Sequence, residues 1–184
     1  MKQLFCLLFL IMISCQDSHQ IKEIEILTYF TNARDFRVYS TTNKSGFTQT
    51  LFKPESSQYI DHCQSRIPKS LIDSIVSICK DGKDENFIFK SKKNIIYCGY
   101  WHSVRVTYEN GEKLMFAYPY ANEQNKQFFP FQSLSKQIQN DSLKATRIDI
   151  GQLGRLYLKQ EDLSKVTFEK DSIFFHKLFK VNHN

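Results

Sequence analysis

Val104-Arg105-Val106-Thr107-Tyr108-Glu109-Asn110-Gly111-Glu112-Lys113-Leu114-Met115-Phe116 is the stretch on which the fold turns. Asn-Gly between two β-prone runs predicts a hairpin, because both central residues of a type I′ turn need φ > 0 and these two tolerate it best. A two-residue loop pairs Glu109 with Glu112, Tyr108 with Lys113 and Val106 with Met115, and sets Ser103 opposite Tyr118. Apolar residues then stand on both faces, so the hairpin is expected in the middle of a sheet covered on both sides. Glu109 and Glu112 repel mildly across the turn and are expected in solvent.

Upstream, Ile21 to Phe30 (IKEIEILTYF) is rich in β-branched residues and reads as a strand. Asp35 to Ser40 sets Phe36, Val38 and Ser40 against Arg37 and Tyr39; Asn43-Lys44-Ser45-Gly46 is a turn, and Phe47 to Phe52 is the return strand. Together they predict an antiparallel meander. Between meander and hairpin, Pro68 to Lys80 carries Leu71, Ile72, Ile75, Ile78 and Cys79 on one helical stripe. Ser70 with Asp73, or Pro68, opens this helix, and Asp81-Gly82 closes it.

Downstream, Phe131, Leu134 and Ile138 predict a short helix over Phe131 to Asn140. The tail returns to strand-like runs at Ile148 to Leu158, Lys165 to Glu169 and Ile173 to Phe179. The expected fold is therefore α+β: an antiparallel sheet of meander and hairpins, one main helix and one short helix, in a single domain over residues 21–184.

The first residues belong to something else. Lys2 is followed by an unbroken apolar run from Leu4 to Ile13. A bilayer span needs about 18 or more apolar residues and an export segment roughly 7–15, so the run suits export. Met12-Ile13-Ser14-Cys15 resembles the lipobox of bacterial lipoproteins, with Met12 in place of the commoner Leu. The resemblance implies removal of residues 1–14, lipid on Cys15 and a tether over residues 15–20. Several acyl chains at about 0.8 kcal/mol per buried CH₂ anchor a protein stably. It also implies export and a place on a bacterial membrane, the outer membrane first, facing periplasm or cell surface. The order of strands, helix, hairpin and short helix is similar in layout and size to small envelope lipoproteins. Those families often carry a Cys-Pro motif near the first strands that this chain lacks, so the likeness implies no activity.

The chain of 184 residues carries a formal net charge of +6, which becomes +5 once Lys2 leaves with the signal. Lys outnumbers Arg 19 to 6. Nucleic-acid surfaces lean on Arg forks, so this balance describes a solvated Lys-rich surface and no nucleic-acid partner.

Cysteine chemistry has three thiols to draw on after Cys6 and Cys15: Cys63, Cys79 and Cys98. Cys79 lies on the apolar stripe and is expected in the core, which leaves Cys63 with Cys98 as the expected pair if one forms. His62-Cys63 and Cys98-x-x-x-His102 do not make a metal site, because i and i+4 on a strand stand about 13 Å apart. A thiol hydrolase would need Cys63 or Cys98 beside His62 or His102, and no flanking motif marks one. Gly151-Gln152-Leu153-Gly154 reads as a turn or bulge. No cofactor is called for.

Aromatic residues supply the candidate site. Tyr97, Tyr100, Trp101 and His102 precede the hairpin, Tyr118 ends it, and Arg105 lies between. Such a group suits either core packing or a stacking surface for a peptide, a glycan or an envelope protein. The expected function is a lipid-anchored, non-catalytic binding module. An envelope hydrolase and a structural or assembly lipoprotein are the alternatives.

Overall fold

Alternation of side chains along extended backbone explains most of the architecture. The computed structural model describes residues 20–30, 33–53, 59–80, 83–90, 99–141, 144–149, 151 and 153–167. The readings made on residues 1–19, on Asp81-Gly82, on Tyr97 and Cys98, and on residues 168–184 lie outside them.

Four strands come first: β1 (Ile21–Phe30), β2 (Ala33–Asn43), β3 (Phe47–Lys53) and β4 (Tyr59–Arg66). Helix α1 (Lys69–Cys79) and a short 3₁₀ turn (Asp84–Phe87) follow. Then come β5 (Tyr100–Tyr108), β6 (Lys113–Tyr118), a second 3₁₀ turn (Lys126–Phe128), α2 (Phe129–Asp141) and β7 (Thr146–Asp149). A last helix, α3, is described over residues 155–167. The strands form one antiparallel sheet in the order β6-β5-β1-β2-β3-β4-β7. The α+β class and the meander expected from the sequence are present.

The meander turns where expected. The Asn43 side-chain oxygen accepts bonds from the backbone N–H groups of Ser45 and Phe47. Gly46 has φ +80°, and a Cβ there would stand 2.4 Å from the Ile67 carbonyl oxygen, so the site requires glycine.

The hairpin differs from its expected register by one residue. Tyr108 N–H donates to the Glu112 carbonyl and Gly111 N–H to the Tyr108 carbonyl, which closes a three-residue loop with Gly111 at φ +86°. Val106 therefore faces Leu114, Val104 faces Phe116 and His102 faces Tyr118, while Ser103 faces Ala117. Burial decides the register. In the expected pairing Phe116 and Leu114 would share a face with Arg105 and Thr107. The slip gathers Leu114, Phe116 and Tyr118 with Val104 and Val106. The hairpin is also not central: β6 is an edge of the described sheet, and β5 pairs inward with β1. Glu109 and Glu112 are exposed, as expected.

The sheet separates two layers. On one face Ile24, Ile26, Val38, Val104, Val106 and Phe116 pack beneath α1 and α2. Helix α1 contributes Ile72, Ile75 and Cys79, and α2 contributes Phe131, Leu134 and Ile138. Phe116 stacks on Phe87 at 4.5 Å and meets Phe131 edge-on at 4.9 Å. The α1 N-terminus rests on Pro68, whose carbonyl accepts from the Leu71 and Ile72 N–H groups. Ser70 does not cap it; its carbonyl accepts from the Ser74 hydroxyl instead.

On the other face Leu27, Tyr29, Tyr39, Leu51, Ile60 and Leu163 form a second cluster beneath α3. Here the sequence reading is corrected. Residues 148–158 and 165–169 looked strand-like, yet the described structure has only β7 and then a helix. The buried stripe of α3 is Gln160, Leu163, Ser164 and Thr167. Three of those four are polar, so the helical period is invisible to a hydrophobicity reading.

Candidate functional site

The six residues expected to form a stacking surface are distributed by strand alternation. Tyr97 lies outside the described residues. Tyr100 is exposed and meets Phe30 edge-on at 5.3 Å. His102 and Tyr118 point into the first layer, where their rings stack at 5.0 Å. His102 is buried, its Nδ1 lies 2.9 Å from the Thr28 hydroxyl, and burial lowers its pKa to about 4. Tyr118 is fully buried, and burial raises its hydroxyl pKa. Trp101 and Arg105 point the opposite way, into the α3 layer. No common surface of Tyr100, Trp101, His102, Arg105 and Tyr118 exists, because consecutive residues of a strand face opposite sides.

The thiol readings divide the same way. Cys63 and Cys79 are free, buried thiols, so Cys63 is not bridged to Cys98. Burial raises both, Cys79 to about 12, which leaves them protonated and unreactive. Cys63 shares its face with Thr50, and His62 shares the other with Leu51, so the two are on opposite sides of β4. Among the described residues no three His, Cys, Asp or Glu side chains converge for a metal ion.

The charged groups under α3 were missed in the sequence. Glu25 is 2% exposed in β1, an interior strand, directly across from Arg105. Its Oε2 accepts from Arg105 Nε at 2.6 Å. Its Oε1 accepts from Arg105 Nη2 at 2.8 Å and from the Tyr39 hydroxyl at 2.7 Å. Arg105 Nη1 then reaches Asp162 on α3 at 2.5 Å. This is a forked guanidinium–carboxylate pair in a water-poor layer, the geometry that offsets the desolvation of both charges. The hydrogen bond to Glu25 raises the Arg105 pKa, and the Arg105 hydrogen bond lowers that of Asp162. Burial, then the Glu25 charge, raises Tyr39.

Further pairs extend the row. Lys159 holds both oxygens of Glu23 at 2.6 Å, and Glu23 also accepts from Thr41. Glu161 lies 3.9 Å from Arg37. Thr167 donates to Ser103 at 2.9 Å. Each of these charges has an opposite charge within reach, so the constellation fastens α3 to the sheet. One signal pointed to it: Glu23 and Glu25 alternate with Ile24 and Ile26 inside a strand, and a carboxylate there must find a cation.

Two grooves open to solvent. One, of about 670 Å³, lies beside the hairpin loop and is lined by Tyr108, Glu112 and Lys113 with Lys83, Asp84 and Glu85. The other, of about 450 Å³, lies between the β3–β4–β7 side of the sheet and the start of α3. Gln49, His62 and Gln64 form its sheet side, and Ile148, Leu153, Arg155 and Leu156 complete it. Gln49 and Gln64 are cross-strand partners. The His62 Nε2 atom is buried without a hydrogen-bond partner among the described residues, and burial lowers the His62 pKa. The arrangement suits hydrogen bonding to a small polar ligand.

Compared with known proteins, the chain matches no family model, no curated protein and no solved structure.

Proposed function

We propose that the chain is a lipid-anchored protein of a bacterial cell envelope whose domain acts by binding and not by catalysis. The observation that carries the anchor is the sequence Leu4 to Ile13 followed by Ser14-Cys15. The fold is consistent with it. Strand β1 begins at Ile21, so six steps of chain separate it from Cys15, a reach of at most about 20 Å. The Gln20 carbonyl accepts from Glu109 N–H, which puts the start of β1 at the same end as the β5–β6 loop. A lipid on Cys15 holds that end toward the bilayer and turns Tyr100 and Phe30 away from it. No described helix is long and apolar enough to cross a membrane, and the anchor needs none.

Binding is favoured because the described acid, thiol and imidazole groups are paired, buried or set apart from one another. Glu25 and Asp162 are tied to Arg105, Cys63 and His62 are on opposite faces of β4, and His102 is buried against Tyr118. Two solvent grooves with polar linings remain for a ligand.

Growth on labelled palmitate tests the anchor. Label is expected in the full chain and lost in Cys15→Ala; label that survives the substitution overturns it.

A further inference from the structure

We infer that the groove between the β3–β4–β7 side of the sheet and the start of α3 binds the carboxylate end of a short peptide. The inference deepens the binding reading above and rests on it. Chemistry singles this groove out from the other. The groove beside the hairpin loop mixes Lys83 and Lys113 with Asp84, Glu85 and Glu112, so its charges answer one another. Among the described residues the second groove is lined by one permanent cation, Arg155, and by no carboxylate. Arg155 is exposed and has no ion-pair partner among the described residues. A guanidinium in that condition matches a carboxylate with two parallel N–H bonds.

The remaining walls specify the group that carries the carboxylate. Gln49 and Gln64 face each other across β3 and β4, so their Cβ atoms stand about 5 Å apart. Each amide offers an acceptor and two donors, the complement of a peptide N–H and C=O. His62, two residues before Gln64 on the same face, adds a neutral ring whose Nε2 has no described partner. Ile148 and Leu156 supply the apolar contact that small side chains need. Burial of His62 Nε2 is otherwise unexplained, and a ligand amide would satisfy it.

The test titrates the full-length chain in detergent with N-acetyl-Ala-Ala and with its C-terminal amide, read by NMR line broadening and shift of the peptide methyls. The free acid is expected to bind at least tenfold more tightly than the amide. Arg155→Gln is expected to remove that preference, Arg155→Lys to retain part of it, and Gln64→Leu to weaken both peptides. Arg155 and Gln64 are exposed, so unchanged circular dichroism and melting are expected in all three variants. Lys113→Gln, in the other groove, is the control without effect. Equal binding of acid and amide, indifference to Arg155→Gln, stronger binding of glucuronate than of the peptide, or no binding at tens of millimolar each overturn the inference. A chain that takes palmitate and ignores both peptides loses the ligand and keeps the anchor; the converse loses the anchor and keeps the ligand.

Discussion

The two layers flanking the sheet differ in what is added to their apolar contacts. Beneath α1 and α2, aliphatic strands meet stacked rings: Phe87, Phe116, Phe128 and Phe131 lie with centroids 4.5 to 6.5 Å apart. Beneath α3, a smaller apolar cluster around Leu163 is joined by ion pairs: Asp162 to Arg105, Lys159 to Glu23 and Glu161 to Arg37. The first kind is non-directional and tolerates small shifts of a helix. The second is directional, because moving α3 by a turn parts Asp162 from Arg105 and Lys159 from Glu23. The comparison teaches that stability and register are supplied by different faces of the same strands. Residues 24 and 26 of β1 serve the first, residues 23 and 25 the second.

The largest test of that division lies at Arg105. Arg105→Met leaves Glu25 buried beside Tyr39 without its cation, and about 3–5 kcal/mol of unfolding free energy is expected to disappear in urea titration. Combining it with Glu25→Leu and Tyr39→Phe replaces the charges with packing, and most of the loss should return. A triple variant as weak as the single would show that the ionic layer contributes net stability as well as register.

The apolar layer has its own breaking point at His102. Its pKa falls from 6.5 to about 4 on folding, so the unfolded chain binds more protons between those values. The contribution is complete above pH 6.5 and is lost as pH falls toward 4, about 3 kcal/mol in all. Unfolding free energy measured across that window should show this slope, and His102→Gln should flatten it. An unchanged slope would move the titrating group to another residue.

The smallest effect concerns Gln160, which is fully buried with both side-chain amide atoms unpaired among the described residues. Gln160→Leu removes an uncompensated polar group and is expected to raise stability by about 1 kcal/mol in the same titration. A loss instead would mean that the amide has a partner, such as an ordered water, on which α3 depends.

What could be read in advance follows the same division. The meander, α1 and α2 were legible because their buried positions are apolar and keep a period. Strand β4, Tyr-Ile-Asp-His-Cys-Gln-Ser-Arg, was not, since polar residues occupy both of its faces. Helix α3 failed for the reason given by Gln160, Ser164 and Thr167. In the hairpin, Asn110-Gly111 announced the turn, but two- and three-residue loops share that signature, and only burial of Leu114 and Phe116 separates them. The aromatic cluster was contiguous in sequence and therefore divided in space. Glu25 and Arg105, 80 residues apart, show no local sign of each other.

That separation has a kinetic side. Strands β1 to β4 can zip by short connections, whereas β5 must close a long loop to reach β1. Until it does, one edge of β1 lacks its β5 partner and Glu25 lacks its cation, so a strand that ends inside the sheet begins as a border. In such an order the sheet would extend outward from β1, and that strand is completed by residues synthesised long after it.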